Sequence, residues 1–177
     1  MRYAQIVPFE VCNGKCAGVS VFVQGCSFHC PGCFNPGAWA FSGGKEFTAE
    51  IKDKLLTLAN KPYIKRISIL GGEPLAYENL RDVLKLVREL KSEIPEKTIW
   101  IYTGYTMEEI LNPDLSICTR KANESPLLRK DVIGNCDVVV DGRFEIDKRD
   151  VTLQFRGSSN QIVWKKQDGV WVKWITD

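Results

Sequence analysis

The fold of this 177-residue chain is decided by the stretch Val19-Ser20-Val21-Phe22-Val23-Gln24-Gly25-Cys26-Ser27-Phe28-His29-Cys30-Pro31-Gly32-Cys33. Its first five residues alternate in polarity and are rich in valine, which predicts a half-buried strand. Three thiols follow within eight residues, and Pro31 and Gly32 favour turns that bend them towards one point. We therefore expect a strand that leads directly into a thiol-rich loop.

Strands and helices alternate on the carboxyl side of this stretch. The sequence predicts strands at 66–70, 98–102 and 137–140, with helices that begin after Thr48, across 80–90 and after Thr106. This alternation predicts a parallel sheet with right-handed crossovers. At roughly 30 residues per βα unit the chain has room for about four to six units. A closed eight-stranded α/β barrel, which needs about 200 residues or more, is excluded.

The end of the chain has a different pattern. Two apolar runs, 162–164 and 170–174, flank Gln167-Asp168-Gly169, which predicts a β-hairpin. We expect one domain over 1–177, with a core at about 18–145 and a C-terminal extension at about 150–177.

Composition and charge exclude several classes of function. With 24 Lys and Arg against 22 Asp and Glu, the formal charge is +2, which gives no electrostatic support for nucleic-acid binding. The apolar runs have the length of strands, so we expect no membrane span. The N-terminus lacks the apolar region of a signal peptide, which favours a cytoplasmic location. In such a location seven cysteines, an odd number, indicate metal or thiol chemistry rather than disulfides.

The three clustered thiols are compatible with two kinds of metal site. They are one short of the four ligands of an ordinary iron–sulfur cluster, and an open fourth position is typical of a reactive metal centre. The alternative is a structural zinc site in which His29, Cys12 or Cys16 supplies the fourth ligand. Structural zinc sites usually have two tight pairs of ligands, so the single run of cysteines favours iron–sulfur.

The Cys-x-x-x-Cys-x-x-Cys loop after the first strand resembles that of the radical S-adenosylmethionine enzymes. The resemblance narrows to the family of activating proteins of anaerobic ribonucleoside-triphosphate reductases and extends over nearly the whole chain. The matching segments, in order, are Phe22-Val23-Gln24-Gly25-Cys26, Cys30-Pro31-Gly32-Cys33-Phe34-Asn35-Pro36, Gly71-Gly72-Glu73-Pro74, Tyr102-Thr103-Gly104-Tyr105, Asp141-Gly142-Arg143-Phe144 and Arg156-Gly157-Ser158-Ser159-Asn160-Gln161.

The resemblance implies a fold, a set of cofactors and a partner. The fold is α/β, an open partial (βα) barrel of about four to six mostly parallel strands with a C-terminal β-hairpin-like extension. One [4Fe–4S] cluster is held by Cys26, Cys30 and Cys33, and its free iron takes S-adenosylmethionine. Reductive cleavage then gives a 5′-deoxyadenosyl radical, which removes a hydrogen from a glycine of the reductase. A reduced flavodoxin- or ferredoxin-like protein is the implied electron donor.

The remaining motifs are expected at the same edge of the sheet. Gly71, Gly72, Glu73 and Pro74 follow a strand at the edge where α/β sheets bind ligands, and Glu73 is suited to accept hydrogen bonds from the ammonium group of the cofactor. Thr103, after the next strand, and Asn160, in the C-terminal polar cluster, are further candidates to bind the cofactor. The cluster's other polar residues, Arg156, Ser158 and Gln161, face either the cofactor or the incoming glycine.

Some choices stay open at this point. Another small radical S-adenosylmethionine enzyme, either the activase of a different glycyl-radical enzyme or a deazapurine synthase, is the nearest alternative, and a non-catalytic zinc module is a more distant one. An aromatic residue such as Phe28 or Phe34 is expected to pack against the adenine of the cofactor. Cys12, Cys16, Cys118 and Cys136 have no assigned role, although Cys136 is expected to be a core thiol.

Overall fold

The computed structural model describes residues 1–112 and 120–174, except for the side chains of residues 120–123. The strands are β1 (Arg2–Glu10), β2 (Gly18–Val23), β3 (Lys45–Glu46), β4 (Arg66–Gly71), β5 (Thr98–Tyr102), β6 (Val138–Asp141), β7 (Ile162–Gln167) and β8 (Val170–Lys173). The helices are α1 (Ala49–Ala59), α2 (Tyr77–Glu93), α3 (Met107–Leu111) and α4 (Arg120–Gly134). Cys118 lies outside the described residues.

The described strands form one open sheet in the order β3-β1-β2-β4-β5-β6-β7-β8. The central strands β2, β4, β5 and β6 are parallel, as the alternation with helices predicts. The expectation of four to six mostly parallel strands is wrong, however, because β1 and β3 pair antiparallel at one side and β7 and β8 at the other. The fold is α/β with a mixed sheet that does not close.

The two faces of the central strands have different surroundings. Alternate residues of these strands, such as Val21, Ile69 and Ile101, are buried in one cluster with the apolar sides of the helices, including Leu80 and Val87. This arrangement follows from the period of two in a strand, which places every second side chain on the same face. The opposite face carries Phe22, Leu70 and Tyr102, which border an open cavity. The helices therefore cover one face of the sheet. On the other face Trp100, Val138 and Val140 are buried in a second cluster against Phe155 and Trp174, and the cavity lies beside it.

Local signals in the sequence correctly predict the starts of α1 and α3, whereas α2 begins at Tyr77, before the predicted 80–90, without a side-chain cap. The Thr48 hydroxyl accepts a hydrogen bond from the backbone N–H of Ile51 at the start of α1. Thr106 and Glu109 form a capping box at the start of α3. The C-terminal hairpin is also confirmed, with β7 and β8 joined at Asp168 and Gly169. No helix in the described part of the chain is long and apolar enough to cross a membrane.

Candidate iron–sulfur site

The cysteine loop, residues 24–40, begins where β2 ends and folds back on itself. The Gln24 side chain donates hydrogen bonds to the carbonyls of Gly37 and Ala40, at 3.0 and 2.8 Å. The backbone N–H of Cys26 donates to the carbonyl of Trp39 at 2.9 Å. Gly25 has a φ of 97°, and a Cβ atom there would lie 2.1 Å from the ring of Phe41. Only glycine fits this turn, so the first cysteine leaves the strand in a fixed direction.

The loop presents its three thiols to a single cavity. Cys26, Cys30 and Cys33 are free and half-buried, and they line a cavity of about 450 Å³, which we call the cysteine cavity. A backbone turn joins the second and third cysteines, since the N–H of Cys33 donates to the carbonyl of Cys30 at 3.1 Å. The N–H of Asn35 donates to the Cys33 sulfur at 3.4 Å.

Burial works against ionisation of two of the three thiols. Burial raises the pKa of Cys26 and of Cys30, although backbone N–H groups offset part of this effect. Without a metal these thiols are therefore held in the neutral form, and a bound metal ion would favour the thiolate.

The surroundings of the three thiols bear on the two kinds of metal site considered above. Within residues 1–112 and 120–174, no three His, Cys, Asp or Glu side chains converge closely enough to bind one metal ion. His29 is exposed and packs edge-on against Trp39, and Cys16 is exposed. The thiolates of an iron–sulfur cluster bind different irons, so they surround a cavity rather than meet at a point. The spread of Cys26, Cys30 and Cys33 around the cavity is in keeping with a cluster, and Cys12 is the one of the three candidate fourth zinc ligands that lines the same cavity.

The end of β4 forms a second side of the cysteine cavity. Gly71 and Gly72 line it, and backbone hydrogen bonds join them to the end of β2, with Gly72 N–H donating to the carbonyl of Val23 at 2.8 Å. A Cβ atom on Gly72 would lie 2.5 Å from the carbonyl oxygen of Gly25. The two strand ends can approach this closely only because residue 72 is glycine.

Glu73 lies behind the cavity surface rather than on it. Its side chain is 1% exposed, and both carboxylate oxygens accept hydrogen bonds from the protein. Oε1 accepts from the N–H of Leu75 and from the hydroxyl of Thr103, both at 2.8 Å, and Oε2 accepts from the N–H of Gly104 at 2.7 Å. Burial raises the pKa of Glu73 to about 7, although these donors work in the opposite direction. The carboxylate joins the end of β4 to the end of β5.

The other predicted site residues fall into two groups. Thr103 lines the cysteine cavity together with Gly104. Pro74 is buried beside Glu73 and does not line that cavity. Asn160 borders an adjacent cavity of about 420 Å³ that also contacts Cys30, and its side-chain N–H₂ group donates to the carbonyl of Arg143 at 2.8 Å. The structure therefore brings Gly71, Gly72 and Thr103 together with the three cysteines.

Several residues outside the predicted set of metal and cofactor ligands also line the cysteine cavity. Cys12 is one of them, and Phe28 and Phe34, the candidates for packing the adenine, are two others. Arg143 stacks over the ring of Phe28 at 4.5 Å and forms a salt bridge with Glu109 at 3.1 Å. The sequence feature that could have predicted Arg143 at this site is its position in Asp141-Gly142-Arg143-Phe144, directly after the last parallel strand.

Comparisons with known proteins agree with this reading of the cavity. Residues 12–164 match the model of a family described as a 4Fe-4S single cluster domain, so the chain belongs to a class of proteins that carry one iron–sulfur cluster. It is 38% identical over 165 residues to the anaerobic ribonucleoside-triphosphate reductase-activating protein of Escherichia coli K12, covering 92% of this chain and 97% of the relative. The bacteriophage T4 protein of the same name is 33% identical over 97% of this chain and 98% of its own. The chain belongs to the family of anaerobic ribonucleoside-triphosphate reductase-activating proteins.

Proposed function

We propose that this protein activates an anaerobic ribonucleoside-triphosphate reductase by introducing a glycyl radical into it. One observation carries the proposal: the three thiols of the cysteine loop line the same cavity as the ends of two parallel strands, Gly71-Gly72 and Thr103-Gly104. In α/β sheets this edge is the place where ligands bind. Membership of the activating-protein family supports the reductase as the partner.

In this proposal Cys26, Cys30 and Cys33 hold one [4Fe–4S] cluster, and S-adenosylmethionine lies beside it in the cysteine cavity. When bound, these groups supply the reductive cleavage that yields a 5′-deoxyadenosyl radical, which removes a hydrogen from a glycine Cα of the reductase. The contribution of the chain is to position the cofactors and to exclude water. Phe28 and Phe34 offer apolar surface for the adenine.

Each remaining site residue has a proposed part in holding the cofactor. Gly71 and Gly72 give it a backbone surface without side chains, and Thr103 stands beside them. Glu73 and Pro74 act from behind this surface, since Glu73 fixes the turns that follow β4 and β5. Asn160 fixes the segment after β6 through its hydrogen bond to the carbonyl of Arg143.

We also propose that the open sheet works as a partial barrel within one domain, 1–177, with a core at about 18–145 and an extension at about 150–177. Two features support this. The face that the helices leave free borders the cysteine cavity. Phe155 and Arg156, before β7, line that cavity too, which supports counting the extension as part of the same domain. An open side gives a backbone loop of the reductase access to the cofactor.

The electron donor and the cellular location belong to the proposal as well. Reductive cleavage needs an electron, for which a reduced flavodoxin- or ferredoxin-like protein is the proposed source. The free thiols at Cys12, Cys16 and Cys136 are in keeping with a reducing compartment such as the cytoplasm.

The test is radical transfer to the partner. The protein is reconstituted anaerobically with iron and sulfide, reduced, and mixed with S-adenosylmethionine and the cognate anaerobic reductase. We expect the doublet of a glycyl radical in the electron paramagnetic resonance spectrum. The variant with Cys26, Cys30 and Cys33 replaced by Ala should lose both the visible absorption of the cluster and the doublet. Cys16→Ala is the matched control, because Cys16 is exposed and does not line the cysteine cavity.

Two outcomes would overturn the proposal. A wild-type protein that stays colourless after reconstitution and binds zinc would point to a structural metal site. A coloured protein that forms 5′-deoxyadenosine only with a small-molecule substrate, and no radical on the reductase, would be a different radical S-adenosylmethionine enzyme.

A further inference from the structure

Among the described residues, one charged side chain that lines the cysteine cavity has a buried nitrogen atom without a hydrogen-bond partner. Arg156 lines the cavity beside the cysteines, and its Nε atom is buried without a hydrogen-bond partner in the described part of the chain. Its charge contributes to the low pKa of the exposed Asp150, which hydrogen bonds from Thr152 lower more strongly, but the two side chains form no ion pair. Because a buried polar group without a partner costs free energy, Arg156 calls for an explanation.

The neighbours of Arg156 have structural roles. The Gln161 side-chain oxygen accepts hydrogen bonds from the N–H groups of Gly157 and Ser158, at 2.9 and 3.2 Å. The Ser158 hydroxyl accepts from the N–H of Glu145 at 3.2 Å. These contacts, together with that of Asn160, hold the segment in place. The Oδ1 atom of Asn160 is also buried without a partner in the described part of the chain, but Asn160 does not line the cysteine cavity. Of the cluster's polar side chains that do line it, Gln161 is engaged with the backbone, and Arg156 is the one available to bind a ligand.

The backbone also fixes the position of Arg156. Phe155 has a φ of 62°, in the left-handed region that a bulky residue rarely adopts. Its ring packs edge-on against Trp100 at 5.2 Å, which anchors the residue before Arg156, while Gln161 anchors the residues after it. Strain of this kind is found where the surrounding structure imposes a conformation for binding.

The charges around the cavity indicate which ligand Arg156 takes. The other cation that lines it, Arg143, already pairs with Glu109 and stacks on Phe28. A guanidinium group binds a carboxylate through two parallel hydrogen bonds, and the pair is stronger where water is excluded. Of the groups that the proposed function places in the cavity, the carboxylate of the methionine part of S-adenosylmethionine is the anion of this shape.

We propose that Arg156 binds the carboxylate of S-adenosylmethionine and so orients the cofactor in the cysteine cavity. This inference rests on the proposed function and adds a binding residue to it. It assigns Arg156 to the cofactor rather than to the incoming glycine segment of the reductase, the alternative that the sequence left open.

The experiment compares two ligands on three proteins. Equilibrium dialysis measures the binding of S-adenosylmethionine and of decarboxylated S-adenosylmethionine to the reconstituted wild type, Arg156→Gln and Arg149→Gln. Loss of one charge-assisted pair should weaken S-adenosylmethionine binding to Arg156→Gln by about tenfold or more. Binding of the decarboxylated ligand should change little, so the ratio of the two affinities falls. Arg149→Gln is the matched control, because Arg149 lies over Phe34 and does not line the cysteine cavity.

The outcomes separate this inference from the function on which it rests. If the wild type binds no S-adenosylmethionine, the proposed function fails. If the wild type binds it and Arg156→Gln binds it equally well, only the assignment of Arg156 is overturned. An equal loss for both ligands would also overturn it, because the effect would not depend on the carboxylate. Retained visible absorption of the cluster shows that each variant is folded.

Discussion

Two carboxylates at opposite ends of the same parallel strands are held in contrasting ways. Glu10 lies beside the amino ends of β2 and β4, where it pairs in register with Gly18. Its Oε1 atom accepts hydrogen bonds from the Arg66 guanidinium and the Ser20 hydroxyl, both at 2.6 Å, and Oε2 accepts from the N–H of Asn13 at 2.8 Å. Burial would raise the pKa of Glu10, but these bonds prevail and lower it to about 2.

Glu73, at the carboxyl ends of the strands, forms no ion pair within residues 1–112 and 124–174. Its hydrogen-bond donors are neutral, namely two backbone N–H groups and the Thr103 hydroxyl, and Arg129 acts on it only from a distance. Burial therefore dominates, and the pKa rises to about 7. The ion pair of Glu10 stabilises the folded state. The ionised form of Glu73 is instead destabilised by burial, while its hydrogen bonds fix two turns at the proposed cofactor site.

Removing the cation that pairs with Glu10 should change the stability of the protein more than any of the other substitutions. Arg66 is fully buried and forms the salt bridge with Glu10. Arg66→Met leaves that carboxylate without its charge partner, so we expect a loss of about 3–5 kcal/mol in the free energy of unfolding. Urea denaturation of the protein before reconstitution measures it.

The double variant Glu10→Gln with Arg66→Met is the control, since it removes the unpaired charge and should recover part of the loss. A loss below about 1 kcal/mol in the single variant would show that the pair contributes little.

The pH dependence of stability should have opposite signs for the two carboxylates. Glu10 has a folded-state pKa below its ordinary value of 4.5, so its contribution is complete above pH 4.5 and is lost as the pH falls towards 2. Glu73 has a folded-state pKa above 4.5, so its burial costs nothing below pH 4.5 and costs progressively more as the pH rises towards 7. Each change amounts to no more than about 3–4 kcal/mol.

Variants isolate the two effects. The difference in unfolding free energy between wild type and Glu10→Gln should vary between pH 2 and 4.5, and that between wild type and Glu73→Gln between pH 4.5 and 7. If both differences have the same sign of slope, the contrast between the two ends is wrong.

The sequence predicts the parallel centre of the fold because its signals are local. Alternating runs determine β2, β4 and β5, and the capping box of Thr106 and Glu109 determines the start of α3. The strand β1 escaped prediction for a physical reason: Arg2–Glu10 contains Pro8, lacks a regular alternation, and has Tyr3 as its one buried residue. Its place in the sheet depends on pairing with β2 and β3, which no local pattern encodes.

Some features of the candidate site could likewise be predicted from the sequence, and others depend on the folded structure. Motif spacing correctly brings the cysteine loop, Gly71-Gly72 and Thr103 to one cavity. It could not show that the oxygens of Glu73 are already occupied, because that depends on where β5 ends, thirty residues further along the chain. Nor could it single out Arg156 from its polar neighbours, since only the folded loop reveals which of them are engaged.

A smaller effect is expected when the carboxylate at the carboxyl ends of the strands is replaced by an amide. In Glu73→Gln the amide N–H₂ group faces a donor, either the N–H of Gly104 or the groups of Leu75 and Thr103, so one of the turns that line the cysteine cavity must shift. We expect S-adenosylmethionine to bind about tenfold more weakly, while the visible absorption of the reconstituted cluster stays unchanged.

Substitutions of Thr103 test whether Glu73 acts through the turn. Thr103→Val removes a single donor and should weaken binding less than Glu73→Gln does, whereas Thr103→Ser keeps the hydroxyl and should bind like the wild type. Equilibrium dialysis and the absorption spectrum are measured on the same samples. If Glu73→Gln loses cluster absorption and cofactor binding together, Glu73 stabilises the whole cysteine site. The carboxylates at the two ends of the sheet would then differ in pKa, but both would serve mainly to stabilise the fold.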